Sequence, residues 1–185
     1  MPGTILLGNT TIGKDCLIGP NTYIMDGTVG NGVTLDNVKL TDSTVEDGAD
    51  AGPFVQIRGG SVLHTGVHIG DFVEVKNSTV GAGTKSAHLT YIGDSDVGAG
   101  VNFGCGTVTV NYDGKNKSRC KIGDGAFIGC NTNLVAPVEV GDRAYIAAGS
   151  TITDDIPGDA LSIARARQVN KPGWVTEKKP YKEKK

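Results

Sequence analysis

The chain has 185 residues, of which 38% are hydrophobic, and this length suits one globular domain. Its formal net charge of −2 argues against a general nucleic-acid or membrane-surface binder. No apolar run approaches the length of a membrane span, so we expect no membrane partner. With 28 glycines and only 5% aromatic residues, the composition favours turn-rich β structure over a large aromatic core.

The dominant pattern is a six-residue repeat. An aliphatic residue or alanine marks its first position, its fifth position is small or β-branched, and its second is often glycine. The first positions are Ile12, Ile18, Ile24, Ala51, Ile57, Leu63, Ile69, Val75, Ile122, Ile128, Leu134, Val140, Ile146 and Ile152. A period of six fits neither a helix nor a long strand, whereas it is typical of a short strand followed by a tight corner.

Three such repeats close a triangular coil of about eighteen residues, and successive coils stack as parallel strands about 4.8 Å apart. Stacking buries the first-position side chains in one continuous aliphatic core, which explains why aromatic residues are scarce. The sequence therefore predicts an all-β fold, a parallel β-helix over residues 1–157. The period does not set the handedness. Beyond the repeat, residues 158–185 are predicted to form a short C-terminal arm and a Lys-rich tail.

The largest interruption of the repeat is the segment 109–121. Its turn signal and basic residues are Asn111-Tyr112-Asp113-Gly114, Lys115, Lys117, Arg119 and Lys121. We expect an extruded polar loop, and such a loop on a regular solenoid is a common place for function. A tolerated insertion without a function is the alternative.

The cysteines indicate the redox environment. The four are Cys16, Cys105, Cys120 and Cys130, and no two have CxxC spacing. This pattern favours reduced thiols in a cytoplasmic protein over a disulfide framework or a zinc site.

Eighteen-residue spacing identifies a candidate anion site. Arg58 and Lys76 differ by eighteen and both occupy the second position of their repeats. We therefore expect them to lie side by side on one outer edge, where two cations repel unless an anion such as a phosphate binds between them. Two solvated surface cations are the alternative.

A carboxylate and an imidazole are also expected on one side of the coils. Counting repeats places Tyr91 one coil from Glu74, with His88 on the same side. A carboxylate near an imidazole fixes its tautomer and leaves the other nitrogen free as a base. His64 and His68 are expected to be surface residues. A zinc site of the three histidines, as in a β-helical carbonic anhydrase, is the rival, but His64 and His68 should face different ways, so we expect no metal.

The motifs around these residues closely resemble the acetyltransferase domain of the bacterial bifunctional N-acetylglucosamine-1-phosphate uridyltransferase/glucosamine-1-phosphate acetyltransferase. Two motifs are specific: Lys-x-x-His-x-x-Tyr-x-Gly over residues 85–93, and Asn-Tyr-Asp-Gly-x-x-Lys over residues 111–117. The resemblance extends from about residue 10 to residue 174 and includes 70–76, 101–104, 146–151 and Arg165.

The resemblance implies a left-handed β-helix that forms a homotrimer, with active sites between neighbouring subunits. It also implies transfer of acetyl from acetyl-CoA to the amine of glucosamine 1-phosphate, a step toward UDP-N-acetylglucosamine and peptidoglycan precursors. His88 matches the catalytic base and Glu74 the carboxylate that orients it. The sugar-phosphate contacts match Arg58, Lys76, Tyr91, Asn102 and Lys117. The acetyl-CoA contacts match Cys105, Asn111, Tyr112, Cys130, Ala148 and Arg165.

Three departures from this family qualify the expectation. The sequence lacks the family's nucleotidyltransferase half, so we do not expect it to join UTP to a sugar phosphate. Arg58 is followed by two glycines where the family usually has a proline, and Cys105 and Cys130 replace small residues at the CoA contacts. A non-catalytic binding module for sugar phosphates or UDP-sugars, and an acyltransferase for another amino sugar, remain the alternatives.

Overall fold

The computed structural model describes residues 1–178 and residue 180, which form about nine coils of short parallel strands and one helix. The predicted Lys-rich tail lies outside the described residues at position 179 and over 181–185. No helix in the described part of the chain is both long and apolar enough to cross a membrane. The elements are β1 (Ile5–Leu7), β2 (Thr11–Ile12), β3 (Leu17–Ile18), β4 (Tyr23–Met25), β5 (Thr28–Val29), β6 (Thr34–Leu35), β7 (Val38–Thr41), β8 (Thr44–Val45), β9 (Asp50–Ala51), β10 (Val55–Arg58), β11 (Val62–Leu63), β12 (His68–Lys76), β13 (Thr79–Val80), β14 (Lys85–Gly93), β15 (Ser95–Val97), β16 (Asn102–Phe103), β17 (Val108–Val110), β18 (Cys120–Ile122), β19 (Phe127–Ile128), β20 (Asn133–Val135), β21 (Val138–Val140), β22 (Tyr145–Ile146), β23 (Thr151–Ile152), β24 (Leu161–Ser162) and α1 (Trp174–Lys178).

Strands one coil apart pair in parallel, as the repeat predicts. One face of the solenoid is an 8-stranded sheet, and the other two faces are joined into a 16-stranded sheet. The two faces join because β12 and β14, each nine residues long, continue around the corner between them without interruption. The candidate site lies at this corner and on the face that follows it.

The core consists of the inward aliphatic side chains of the repeat. Most first-position residues are fully buried, with Ile24, Ile57, Leu134 and Ile146 at 0% exposure. Ile12 is only partly buried because it lies in one of the first coils, near the open end of the stack. The sheet pairing and this burial confirm the predicted all-β parallel β-helix.

The predicted loop leaves the solenoid between β17 and β18. Residues 111–119 form it, while the outer parts of the predicted segment 109–121 belong to those two strands. An antiparallel bridge joins Tyr112 to Lys117, so the loop is a small hairpin. Asp113 Oδ1 accepts hydrogen bonds from the backbone N–H groups of Lys115 and Asn116 at 2.7 and 2.6 Å, which holds its tip.

Strand pairing continues beyond residue 157, the predicted end of the β-helix. Strand β24, in the predicted arm, pairs with β22, and the N–H of Thr151 donates to the carbonyl of Ala164 at 3.1 Å. The arm therefore packs along the last coils as an extended segment. The helix α1 comes after it.

Candidate active site

One row of side chains follows the corner that β12 and β14 share. The pairing of β12 with β14, β14 with β16, β16 with β19 and β19 with β22 sets its register. The row consists of Asp71, His88, Cys105, Cys130 and Ala148, one from each successive coil. In every coil the next residue has a positive φ, so all five occupy the same position of equivalent tight turns. His88 and the three residues after it in the row are exposed.

The first two members of the row form a carboxylate–imidazole pair. His88 Nδ1 lies 2.8 Å from Asp71 Oδ1, and the His88 side chain is 62% exposed. The hydrogen bond from His88 lowers the pKa of Asp71 below its usual 3.8, so the carboxyl is ionised at neutral pH. A carboxylate that accepts from Nδ1–H leaves Nε2 unprotonated and free to accept a proton. This is the arrangement that a general base requires.

Asp71 was missing from the sequence-based site. The coil counting that placed Tyr91 beside Glu74 also places His88 beside Asp71, because both pairs are seventeen residues apart. The signal was therefore present in the sequence, although the resemblance to the family directed attention to Glu74.

Glu74 has a different partner in the structure. Its Oε1 atom accepts from both Nε and one terminal nitrogen of Arg58, each at 2.7 Å. Glu74 is one coil from Tyr91, as the sequence predicted. The carboxylate that is hydrogen-bonded to His88 is that of Asp71. The orienting role that the resemblance assigns to Glu74 stays a prediction.

Three cations gather on the face that follows the corner. Arg58 and Lys76 are direct partners in the register of β10 and β12, which confirms the eighteen-residue arithmetic. Lys117 from the loop reaches the same place, and the neighbouring ammonium of Lys76 lowers the pKa of Lys117. Adjacent like charges weaken each other's protonated form, and an anion bound between them would relieve the repulsion.

The buried carboxylate of Asp94 lies close to this cluster. Asp94 is only 5% exposed and accepts from the side-chain amides of Asn77 and Asn111. The same Asn111 amide also donates to the Tyr91 hydroxyl at 3.3 Å. Asp94 was not predicted. Asn111 lies at the base of the loop, and its amide links the Asp94 carboxylate to the hydroxyl of Tyr91. The Tyr91 ring lies near the cation of Lys117.

The loop is anchored at its other end by Arg119. Its guanidinium donates from Nε to Asp96 at 3.0 Å and to the backbone carbonyls of Asn77 and Ser95 at 3.0 and 3.1 Å. The side-chain hydrogen bond from Arg119 lowers the pKa of Asp96. These contacts fix the end of the loop, two residues after Lys117, against the coils of the same chain.

The remaining predicted residues are more widely spread. Asn102 is in β16, on the face that precedes the corner. Tyr112 is an exposed loop residue whose hydroxyl donates to the carbonyl of Gly114 at 2.7 Å. The Arg165 side chain lies against Gly149, in the coil that carries Ala148. The acetyl-CoA candidates thus lie along the corner row, on the loop and on the arm.

The three histidines lie in separate places. His64 pairs with Glu46 at 3.0 Å and His68 with Asp50 at 2.6 Å, while His88 pairs with Asp71. Within residues 1–178 and residue 180, no three His, Cys, Asp or Glu side chains are placed to hold one metal ion.

Comparison with known proteins gives two matches to repeat families and a set of long relatives. "Bacterial transferase hexapeptide (six repeats)" matches residues 119–154, and "Hexapeptide repeat of succinyl-transferase" matches residues 9–37. The bifunctional protein GlmU of Geobacillus sp. (strain WCH70) is 60% identical over 174 residues, covering 94% of this chain and 38% of that protein. GlmU of Brevibacillus brevis is 54% identical over 184 residues, covering 100% of this chain and 40% of that protein. The chain spans about two fifths of the length of these relatives.

Two solved structures share the fold at low sequence identity. UDP-N-acetylglucosamine O-acyltransferase (LpxA) from Moraxella catarrhalis has a TM-score of 0.78 and 14% identity, covering 99% of this chain and 78% of its own. LpxA from Acinetobacter baumannii has a TM-score of 0.65 and 16% identity, covering 99% of this chain and 76% of its own. These matches confirm the left-handed form of the β-helix. The chain is thus a hexapeptide-repeat protein, homologous over nearly its whole length to the C-terminal part of the bifunctional GlmU proteins.

Proposed function

We propose that the chain is an acetyltransferase that moves acetyl from acetyl-CoA to the amine of glucosamine 1-phosphate. The observation that carries this proposal is the Asp71–His88 pair at the corner, together with the three cations on the face that follows it. Nε2 of His88 accepts a proton from the amine as the amine nitrogen attacks the thioester carbonyl. The tetrahedral intermediate then collapses, the C–S bond breaks, and the proton goes to the departing CoA sulfur.

The cation cluster supports a phosphorylated acceptor. Lys76 is close enough to Lys117 to lower the pKa of that lysine, whereas Arg58 already pairs with Glu74. A sugar phosphate bound between the two lysines would form charge-assisted hydrogen bonds and cancel their repulsion. The Tyr91 hydroxyl lies near Lys117 and is suited to hydrogen-bond the sugar phosphate.

The corner row supports acetyl-CoA as the donor. Cys105, Cys130 and Ala148 continue from His88 along three coils and leave an exposed, uncharged track. A thioester bound along this track would have its carbonyl near Nε2 of His88. Arg165 lies at the far end of the track, where a cation suits the negatively charged nucleotide part of CoA.

We also propose a homotrimer. Phe54 and Phe72 stack with ring centroids 5.4 Å apart and are 58% and 56% exposed, and Leu89 of the next coil is 58% exposed. All three have positive φ, an unusual conformation for bulky residues. Exposed apolar side chains so near the site are consistent with burial against a neighbouring subunit. Light scattering should give the mass of three chains; a stable monomer at micromolar concentration would contradict this.

The deciding experiment measures thiol release from acetyl-CoA in the presence of glucosamine 1-phosphate. Release that depends on both substrates supports the enzyme. Binding of glucosamine 1-phosphate or a UDP-sugar without thiol release would support the binding-module alternative. Release with another amino sugar, and none with glucosamine 1-phosphate, would support a different acceptor.

A further inference from the structure

The four cysteines have two distinct environments. Cys120 is fully buried, and burial raises the pKa of its thiol to about 11. Cys16 is partly buried and donates to the carbonyl of Gly30 at 3.0 Å. Cys105 and Cys130 are both exposed. These last two thiols are therefore the most open to reagents from solution.

Cys105 and Cys130 are neighbours although 25 positions separate them in the sequence. The register of β16 with β19 places one above the other, and the N–H of Asn131 donates to the carbonyl of Cys105 at 2.8 Å. Both occupy the same position of equivalent turns, so their side chains project in the same direction. Parallel strands lie about 4.8 Å apart, and the Cα atoms of disulfide-bonded cysteines are about 4.4–6.8 Å apart.

One glycine keeps the two coils close at this point. Gly104 precedes Cys105, and a Cβ atom at Gly104 would lie 2.5 Å from the backbone nitrogen of Cys130. A side chain at this position would push the coils apart. The backbone therefore supports a close approach of the two sulfur atoms.

A base lies next to one of the two thiols. His88 is the neighbour of Cys105 in the corner row, on the side away from Cys130. Its Nδ1 is held by Asp71, which orients the ring beside Cys105. Cys130 has no imidazole beside it in the row. Cys105 therefore has a proton acceptor on the adjacent coil, and Cys130 does not.

We propose that Cys105 and Cys130 form a redox-active dithiol that is oxidised by low-molecular-weight disulfides to an intercoil disulfide. The Cys105 thiolate attacks one sulfur of the small disulfide, forming a mixed disulfide and releasing one small thiol. The Cys130 thiolate then attacks the Cys105 sulfur and releases the second. In total, two protein thiols and one small disulfide yield one protein disulfide and two small thiols.

This dithiol lies on the track assigned to acetyl-CoA, so its oxidation would regulate that site. A disulfide bridging two successive coils would occupy the exposed surface next to His88 and keep the donor thioester from it. This consequence rests on the proposed function, whereas formation of the disulfide does not.

The test treats the folded protein with glutathione disulfide and follows intact mass and free thiols. The parent should lose the mass of two hydrogens and two reactive thiols, without adding glutathione, and a reductant should reverse both changes. Cys130→Ser should stop at one bound glutathione on Cys105. Cys105→Ser should acquire glutathione more slowly, because Cys130 lacks the neighbouring base. Cys16→Ser, the matched control, should behave like the parent.

Three results would overturn the dithiol: two glutathiones on the parent, a disulfide between chains, or no reaction at the exposed cysteines. Thiol-release activity is measured in parallel on the reduced and oxidised parent. If the reduced protein is inactive but the disulfide forms, the proposed function fails and the dithiol stands. If the disulfide forms and activity is unchanged, the regulatory consequence is wrong.

Discussion

Nδ1 of His88 is 2.8 Å from Oδ1 of Asp71 on the neighbouring coil, and both side chains belong to one row along a corner of the solenoid. The two parallel strands hold the backbone positions of this pair, so the imidazole ring is oriented before any substrate binds. The His88 side chain is 62% exposed, so its other ring nitrogen, Nε2, is open to a substrate. The first two predictions test this pair.

Replacing His88 by Ala should lower turnover about a hundredfold or more, because general base catalysis typically contributes 10²–10⁴-fold. The rate of thiol release at saturating substrates measures it. Since His88 is exposed, the unfolding midpoint should stay close to that of the parent. A variant that acetylates glucosamine 1-phosphate at the parent rate would show that another group is the base.

Two substitutions of Asp71 separate its charge from its geometry. Asp71→Asn keeps an acceptor for Nδ1–H but removes the charge, whereas Asp71→Ala removes both. If Asp71 positions the ring, kcat should fall more in the Ala variant than in the Asn variant, with KM for both substrates nearly unchanged. The rate of thiol release at saturating substrates measures both variants. An unchanged kcat in the Ala variant would mean that Glu74 or solvent orients His88.

Lys76 and Arg58 should differ in their effect on the acceptor. Within residues 1–178 and residue 180, Lys76 forms no ion pair with a carboxylate. Lys76→Ala should raise KM for glucosamine 1-phosphate about tenfold to a hundredfold, since charge-assisted bonds contribute about 1.5–3 kcal/mol. Arg58→Ala should raise it less if its main partner is Glu74. KM for acetyl-CoA should barely change in either. If KM for unphosphorylated glucosamine rises by the same factor as KM for glucosamine 1-phosphate, these cations do not recognise the phosphate.

Phosphate binding should depend on pH through Lys117. Its pKa is lowered from 10.5 by the adjacent Lys76, so its charge is lost at a lower pH than that of an isolated lysine. Affinity for inorganic phosphate should therefore decline as the pH rises toward about 10. Lys117→Arg, which does not titrate in this range, should keep its affinity, and Lys115→Arg should follow the parent. Calorimetric titration at several pH values distinguishes these outcomes.

The Arg119–Asp96 pair should contribute to stability above the ordinary carboxyl pKa and not in acid. The pKa of Asp96 is lowered from 3.8, so the unfolded chain binds the proton first as the pH falls. The stabilisation is then lost progressively below 3.8, as the pH falls through the lowered value. Because both side chains are about half exposed, roughly 0.2–1 kcal/mol is expected. Urea unfolding should show that Asp96→Asn, which removes the charge but leaves the contacts of Arg119 with the backbone, is less stable than the parent near neutral pH but close to it in strong acid.

The sequence by itself determined the architecture of this protein. An inward aliphatic side chain every six residues has no other regular arrangement that buries it, and the eighteen-residue coil follows from the same period. This arithmetic placed Arg58 beside Lys76 and Tyr91 beside Glu74 correctly. It also placed His88 on the side that carries the candidate site.

The tertiary structure alone decided how the polar groups pair. Burial leaves a periodic pattern in the sequence, but the partner of an exposed side chain depends on its rotamer and on the local turn. Two carboxylates, Asp71 and Glu74, lie three residues apart near the corner. Coil counting places Asp71 beside His88, but only the fold shows the hydrogen bond between them and the pairing of Glu74 with Arg58. The sequence likewise did not reveal that Cys105 and Cys130 are neighbours. The extruded loop lengthens the coil between them, so the two cysteines are not eighteen residues apart.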